Sequence, residues 1–136
     1  MSALFDTVRD NMAATPYHVW LKPVLVSADV DSVEIELAYR PELAGQQDRP
    51  EFHGGILSAL VDIAGHAAIV TRTGRGVATI DMRVDYLRPA SGTLSARAEI
   101  IKFGRTIGIV DVRVSDDRQK PVAAGRAAYF TGTASA

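Results

Sequence analysis

Three polar side chains, Ser58, Asp62 and His66, recur every four residues inside an otherwise apolar run. In a helix that spacing places them on one face. A carboxylate in apolar surroundings is costly to desolvate unless it is paired or used, so Asp62 is a candidate base or nucleophile. His66 offers a second proton-transfer group, although a lone histidine near a helix end reads first as a packing group, and Ser58 reads as a helix-packing hydroxyl. Gly54 and Gly55 open the same run. The first N–H groups of a helix lack intrahelical partners, glycine leaves them open to close approach, and the helix dipole favours negative charge there. A bound anion or a developing oxyanion fits such a position.

These groups need a rigid frame. The segment "HGGILSALVDIAGHAAIVTRTG" has no turn residue between its opening glycines and Gly74 other than Gly65, and is rich in Ala, Leu and Ile. It predicts a helix over about residues 54–72. Nearly every side of it is apolar, so it must be buried almost all round. Residues 2–13 predict a short helix capped by Ser2, with Leu4, Phe5, Val8 and Met12 on one face and Pro16 as its stop. Residues 17–27 and 32–39 read as two strands joined by "SADVDS", and residues 40–52 as a polar loop. Four more strands follow the long helix, at 77–87, 94–103, 106–115 and 122–131. One buried helix beside so many antiparallel strands means that the sheet curls around it. The fold class is therefore α+β, with a long central helix wrapped by a curved antiparallel sheet in one domain spanning 1–136, residues 1–15 being its N-terminal helix.

Composition narrows the chemistry. The 136 residues fit one domain. Fifteen Lys and Arg against sixteen Asp and Glu give a net charge of −1, without the basic field of a nucleic-acid binder. There is no cysteine, hence no disulfide, thiol nucleophile or cysteine-ligated zinc. The chain's start lacks the apolar core of a signal peptide, and Ile56–Val70 is interrupted by Asp62 and His66 and reads as too short to span a bilayer. A cytoplasmic, soluble protein with no membrane or nucleic-acid partner is expected.

The run "HGGILSALVDIAGHAA" resembles the helix motif of the PaaI-like acyl-CoA thioesterases in the hotdog-fold (4-hydroxybenzoyl-CoA thioesterase) superfamily: His-Gly-Gly, then an acid nine residues after the histidine, here His53 and Asp62. The segment "ATIDMRVDYLRPA" is similar to the family's next strand, with Thr79 three residues before Met82 and a Tyr-Leu-x-Pro-Ala run from Tyr86 to Ala90. "KFGRT" resembles the hairpin that meets coenzyme A, and "PVAAGRAAYF" the last strand. The likeness covers about residues 30–132. Many relatives carry an asparagine six residues before the histidine; this chain has Gln47, and His66 stands where a small residue is expected.

The resemblance implies thioester hydrolysis, with Gly55 N–H as oxyanion donor and Asp62 as general base or nucleophile. Thr79, His53 and Gln47 complete the implied catalytic group. Coenzyme A belongs to the substrate, and no cofactor or metal is expected. Its phosphates call for cations, and Arg83, Arg88, Lys102 and Arg105 are the candidates, with Gly54 and Gly104 beside the bound molecule. Leu57, Val61 and Met82 are candidates for an apolar acyl pocket. Seven residues separate Gly55 from Asp62, about 10 Å of helix, too far for both to serve one carbonyl and its attacking water. Two antiparallel helices from two subunits resolve this. A homodimer is expected, further paired into a dimer of dimers, with Gly55 of one chain opposite Asp62 of the partner subunit. The alternatives are a hydratase or dehydratase on the same fold, using His66 with Asp62, and a non-catalytic acyl-CoA-binding protein.

Overall fold

A computed structural model describes residues 2–133; Met1 and residues 134–136 at the ends of the expected domain lie outside the described residues. Helix α1 (Ala3–Ala13) is capped as expected: Ser2 Oγ accepts the N–H of Phe5 at 3.1 Å, and Phe5, Val8 and Met12 turn inward. Pro16 does not merely stop this helix. It opens a second one, α2 (Pro16–Leu21), where a missing N–H costs nothing because the first turn has no acceptor for it. Residues 17–21 are thus helical, not strand, and the first strand is shorter than expected, β1 (Val24–Asp29). Lys22 ends α2 in the left-handed region, at φ 67°. Arg40 finishes the cap: its guanidinium donates to the carbonyl of Leu21 at 2.8 Å and lies 5.0 Å over the Trp20 ring.

Strand β2 (Ser32–Ala38) returns antiparallel to β1, pairing Leu25 with Ile35. Residues 40–52 are not an open loop. A 3-10 turn (Pro41–Leu43) leads into a small antiparallel ribbon, β3 (Ala44–Gln46) and β4 (Arg49–Phe52). The ribbon is fastened to the body of the fold by its ends, since Leu43 and Phe52 are buried and Phe52 N–H donates to Ala90 O at 2.8 Å.

Helix α3 (Gly54–Thr73) then runs for 20 residues and stops at Gly74, whose φ of 66° is the left-handed conformation that glycine adopts without strain. By length and hydropathy alone the whole helix is long enough to cross a bilayer, beyond the reading of Ile56–Val70 as too short; here 61% of that apolar window is buried inside the domain. Strands β5 (Thr79–Tyr86), β6 (Thr93–Phe103), β7 (Ile107–Ser115) and β8 (Pro121–Phe130) follow. With β1 and β2 they form one antiparallel sheet in the order β1-β2-β6-β7-β8-β5.

The sheet's inner face alternates with its outer face at every second residue, as a half-buried strand requires. Val33, Ile35 and Leu37 of β2, Leu94, Ala96 and Ala98 of β6, and Val110, Val112 and Val114 of β7 are all buried. They meet Leu60, Val61, Ala64 and Ala68 of α3 in a single core. Each fully buried Val, Leu or Ile contributes about 1.5–3 kcal/mol relative to exposure. The outer face carries cross-strand ion pairs such as Arg126–Asp111 (2.6 Å) and Arg97–Glu34 (3.0 Å). Strands β1 and β5 are the two ends of the sheet, each with one strand partner among the described residues; on β5, which pairs with β8, Ile80 and Tyr86 are 52% and 54% exposed. The long central helix and curved antiparallel sheet are the hotdog arrangement expected from the sequence.

Candidate active site

Asp62 lies near the middle of α3 on the flank that faces away from the core, half-buried. Its position in the chain places it opposite the junction of β5 and β8, where Thr79 and Tyr129 are register partners on neighbouring strands. Thr79 Oγ1 donates to Asp62 Oδ1 at 2.8 Å. Tyr129 OH lies 3.1 Å from the same oxygen and 3.0 Å from the backbone carbonyl of Asp62. Two hydroxyls therefore hold Oδ1, while Oδ2 has no hydrogen bond among the described residues. The carboxylate is thus oriented on one side and available on the other. Tyr129 is fully buried, and burial first, then the charge of Asp62, push its phenol far above the ordinary range. It stays protonated and can only donate to a charged Asp62.

The N-terminus of α3 is the second element of the site. His53 is its N-cap, held by its own N–H to Leu43 O at 2.8 Å, so the 3-10 turn that leads into the ribbon fixes the start of the helix. Gly55 does not offer a free donor in this chain: its N–H is taken by His53 Nδ1 at 2.8 Å. The N–H of Ile56 goes to His53 O at 2.9 Å. Gly54 is the position whose N–H has no acceptor among the described residues, whereas the expected donor, Gly55, is occupied by the histidine. The physical reason is the histidine, whose ring nitrogen caps the second N–H of the helix and leaves the first one pointing outward. Tyr86 covers the other side of Gly54, donating to its carbonyl at 3.2 Å and sharing a hydrogen bond with Ser58. An open cleft of about 270 Å³ lies between Gly45, Gln46, Arg49, Glu51, His53 and Gly54. Gln47 is exposed in the adjoining turn.

His66 is drawn into the frame. Its Nε2 accepts the N–H of Val77 at 3.0 Å, which requires that nitrogen to be unprotonated. Burial lowers its pKa from the ordinary 6.5, against the pull of the Asp62 charge. Its function here is to tie the segment after α3 back to the helix, and this leaves the hydratase alternative without a free Nε2.

The remaining expected contacts divide. Leu57 and Val61 are 3% and 0% exposed, pressed into the core instead of lining an open pocket; Met82 is half-buried against that core. Arg83 pairs with Asp85 at 3.1 Å, and Arg88 donates to Pro121 O at 2.8 Å. Lys102 and Arg105 are exposed and have no ion pair among the described residues. They flank the β6–β7 turn, where Gly104 N–H donates to Ile107 O at 2.8 Å, leaving no room for a side chain. That turn lies toward the C-terminal end of α3, since Phe103 packs 5.7 Å beneath the Arg72 guanidinium. Within one chain, then, Asp62 and Thr79 are brought together, and His53, Gly54, Gly55 and the Gln47 turn form a separate group at the helix start. Tyr129 is a site residue that the sequence pattern did not single out.

A family model of the thioesterase superfamily matches residues 52–123, from the ribbon through α3 to the start of β8. A protein of Halobacterium salinarum, provisionally named an esterase, is 37% identical over 89 residues, 58% of this chain and 59% of its own length. The medium/long-chain acyl-CoA thioesterase YigI of Escherichia coli strain K12 is 24% identical over 134 residues, 86% of each chain. Among solved structures, a crystallised protein from the thioesterase superfamily superposes with a TM-score of 0.90 at 34% identity, covering 95% of this chain and 98% of the other. The family match spans His53, Asp62 and Thr79, and the chain belongs to the thioesterase superfamily, a thioester hydrolase by its family.

Proposed function

We propose that the protein hydrolyses acyl-CoA thioesters, with Asp62 as general base. The observation that carries this is the Asp62 carboxylate itself, held at Oδ1 by Thr79 and Tyr129 and open at Oδ2. A water held by Oδ2 attacks the thioester carbonyl carbon and passes its proton to Asp62. The tetrahedral oxyanion collapses, the C–S bond breaks, and the proton goes on to the leaving thiolate, giving free acid and coenzyme A. The general-base course is favoured over direct attack because one oxygen is pinned by two donors, one of them Thr79, beside which a water can be positioned for the free oxygen. The charge on the carbonyl oxygen needs a donor at the start of a helix, and the Gly54 N–H is the one left without an acceptor.

That donor stands eight residues from Asp62, about 12 Å along the same helix. A second subunit lying antiparallel supplies the missing partner, so the working unit is a homodimer with two equivalent sites. The unpaired edge of β5 and its exposed Ile80 and Tyr86 support this, because an uncovered apolar edge strand is a ready surface for pairing with another chain. Lys102 and Arg105, unpaired at the β6–β7 turn, are the cations available to the phosphates of coenzyme A. The experiment is a thiol-release screen over short, long and aromatic acyl-CoAs with the wild type and Asp62→Asn. Turnover of at least one class, reduced about 10²- to 10⁴-fold in a folded Asp62→Asn protein, is the expected result. Undiminished turnover in that variant removes Asp62 from the reaction.

A further inference from the structure

We propose that Tyr129 is a positioning residue for the Asp62 carboxylate, and that Gly65 is glycine in order to admit its hydroxyl to the helix. The proposal rests on Asp62 being the catalytic carboxylate. Three observations lead to it. Tyr129 is fully buried on β8, yet its hydroxyl is placed against the one ionisable group on the outer flank of the middle of α3, 3.1 Å from Oδ1 and 3.0 Å from the carbonyl of the same residue. The single hydroxyl proton, shared between side chain and backbone, ties the rotamer of Asp62 to its own helix, which Thr79 alone, bonded only to Oδ1, does not do.

The second observation is the glycine. Gly65 lies in the interior of α3, where glycine is a poorer helix former than any residue but proline. A Cβ at that position would stand 2.4 Å from Tyr129 OH and 3.2 Å from ring carbons Cε2 and Cζ. The helix therefore carries a gap of one methyl group, and the phenol hydroxyl fills it. The hydroxyl makes the closest approach: a phenylalanine on β8 would remove the 2.4 Å contact and leave the ring carbons 3.2 Å from an alanine Cβ, a tight spacing that a few tenths of an ångström of adjustment relieves.

The third is the surroundings. The titratable groups that face Asp62 are His66 on its own helix, one turn on, and Tyr129 from β8; β5 contributes the neutral hydroxyl of Thr79, and His18 of α2 stands beyond His66. His66 is held neutral by its acceptor role toward Val77 N–H. Tyr129 and Thr79 are thus the two donors that hold Oδ1 and turn Oδ2 outward, and removing either loosens the direction in which the base points.

The test is kcat and KM for acyl-CoA hydrolysis by wild type, Tyr129→Phe, Gly65→Ala and the double variant, with Asp62→Asn as reference and circular dichroism and melting curves to establish folding. Tyr129→Phe is expected to lower kcat about tenfold and leave KM within about twofold. Gly65→Ala displaces the hydroxyl and is expected to lower kcat in the same way. In the Tyr129→Phe background the added methyl meets only ring carbons, at 3.2 Å, so Gly65→Ala should cost less there than in the wild type. A purely structural tyrosine changes the melting temperature and leaves kcat in place. If Asp62→Asn is inactive and the kcat of folded Tyr129→Phe does not fall, the positioning role is wrong while the Asp62 reading stands. If Asp62→Asn keeps its turnover, both are wrong. Should Gly65→Ala fail to fold, the kcat of Tyr129→Phe decides alone.

Discussion

Thr79 and Tyr129 are register partners on β5 and β8, and their hydroxyls reach the same oxygen of Asp62, at 2.8 and 3.1 Å. A strand at the end of the sheet thereby becomes part of the carboxylate's support, and β8 is the one strand among the described residues that holds Thr79 in place.

The first prediction concerns that hydroxyl. Thr79→Val keeps the β-branched shape and removes the donor. It is expected to lower kcat by about 10- to 100-fold, the scale of one hydrogen bond to a charged group, with a small change in KM. Thr79→Ser should retain most of the activity. Steady-state kinetics on both variants check this, and equal losses in the two would show that the methyl group, not the hydroxyl, is what matters.

Gly54 and Gly55 can be told apart through their backbone. Proline at the first helical position deletes an N–H that has no intrahelical acceptor. His53 already has the extended backbone that a following proline demands, with φ −60° and ψ 139°. Gly54→Pro should therefore fold and lose about 10²- to 10³-fold in kcat, the usual cost of one oxyanion donor. Gly55→Ala retains its N–H but brings a methyl within 3.0 Å of His53 Nδ1, so it should disturb the cap and cost stability before it costs catalysis. Thermal melts beside kinetics separate the two effects; an active Gly54→Pro enzyme would falsify its role as donor.

A shared site has a signature in mixed subunits. Neither Asp62→Ala nor Gly54→Pro homodimers should turn over substrate. A heterodimer of the two holds one site with both defects and one with neither, so about half of the wild-type activity per dimer should return. Isolating the heterodimer by two affinity tags and assaying it decides the matter. No recovery there means that each site lies within one chain.

His66 makes a pH prediction for stability. Its folded pKa is depressed by burial, while the unfolded chain titrates near 6.5. Below that value the unfolded state binds the extra proton first, so the contribution of neutral His66 is present above pH 6.5 and is lost as pH falls toward the folded pKa. His66→Gln, which can still accept the Val77 N–H, should flatten this part of the profile. Denaturant melts between pH 5 and 8 measure it, and unchanged slopes would show that another group dominates.

Much of this architecture was legible because it depends on local chemistry. Helix α3 is announced by its alanines and leucines and closed by Gly74, and β2 by its alternation. Helix α2 was not legible: Tyr17, Val19 and Trp20 favour strands, Pro16 reads as a stop, and the last carbonyls are satisfied by Arg40, far along the chain. The ribbon of β3 and β4 is polar and contains Pro50, so no period marks it, and what orders it is burial of Leu43 and Phe52 at its ends. At the site, Asp62 stands out by type and spacing, and Thr79 through the resemblance of its strand to the family's. Tyr129 does not, being 67 residues from Asp62 and resembling any aromatic on a strand. A signal existed nonetheless in Gly65, a glycine inside a helix with no turn to make. The exchange of Gly55 for Gly54 as the open donor depends on the rotamer of His53, which residue spacing does not encode.

The Arg40 guanidinium over Trp20 has a practical consequence. Trp20 is the protein's single tryptophan, and it lies on α2, 47% exposed and outside the core. Its emission is therefore a local probe. Fluorescence will follow the docking of the N-terminal segment through the Arg40 clasp, while far-ultraviolet dichroism follows the sheet and α3. Where the two transitions separate in denaturant, the N-terminal segment has come away before the domain unfolds, and a stability taken from tryptophan emission alone would describe that release.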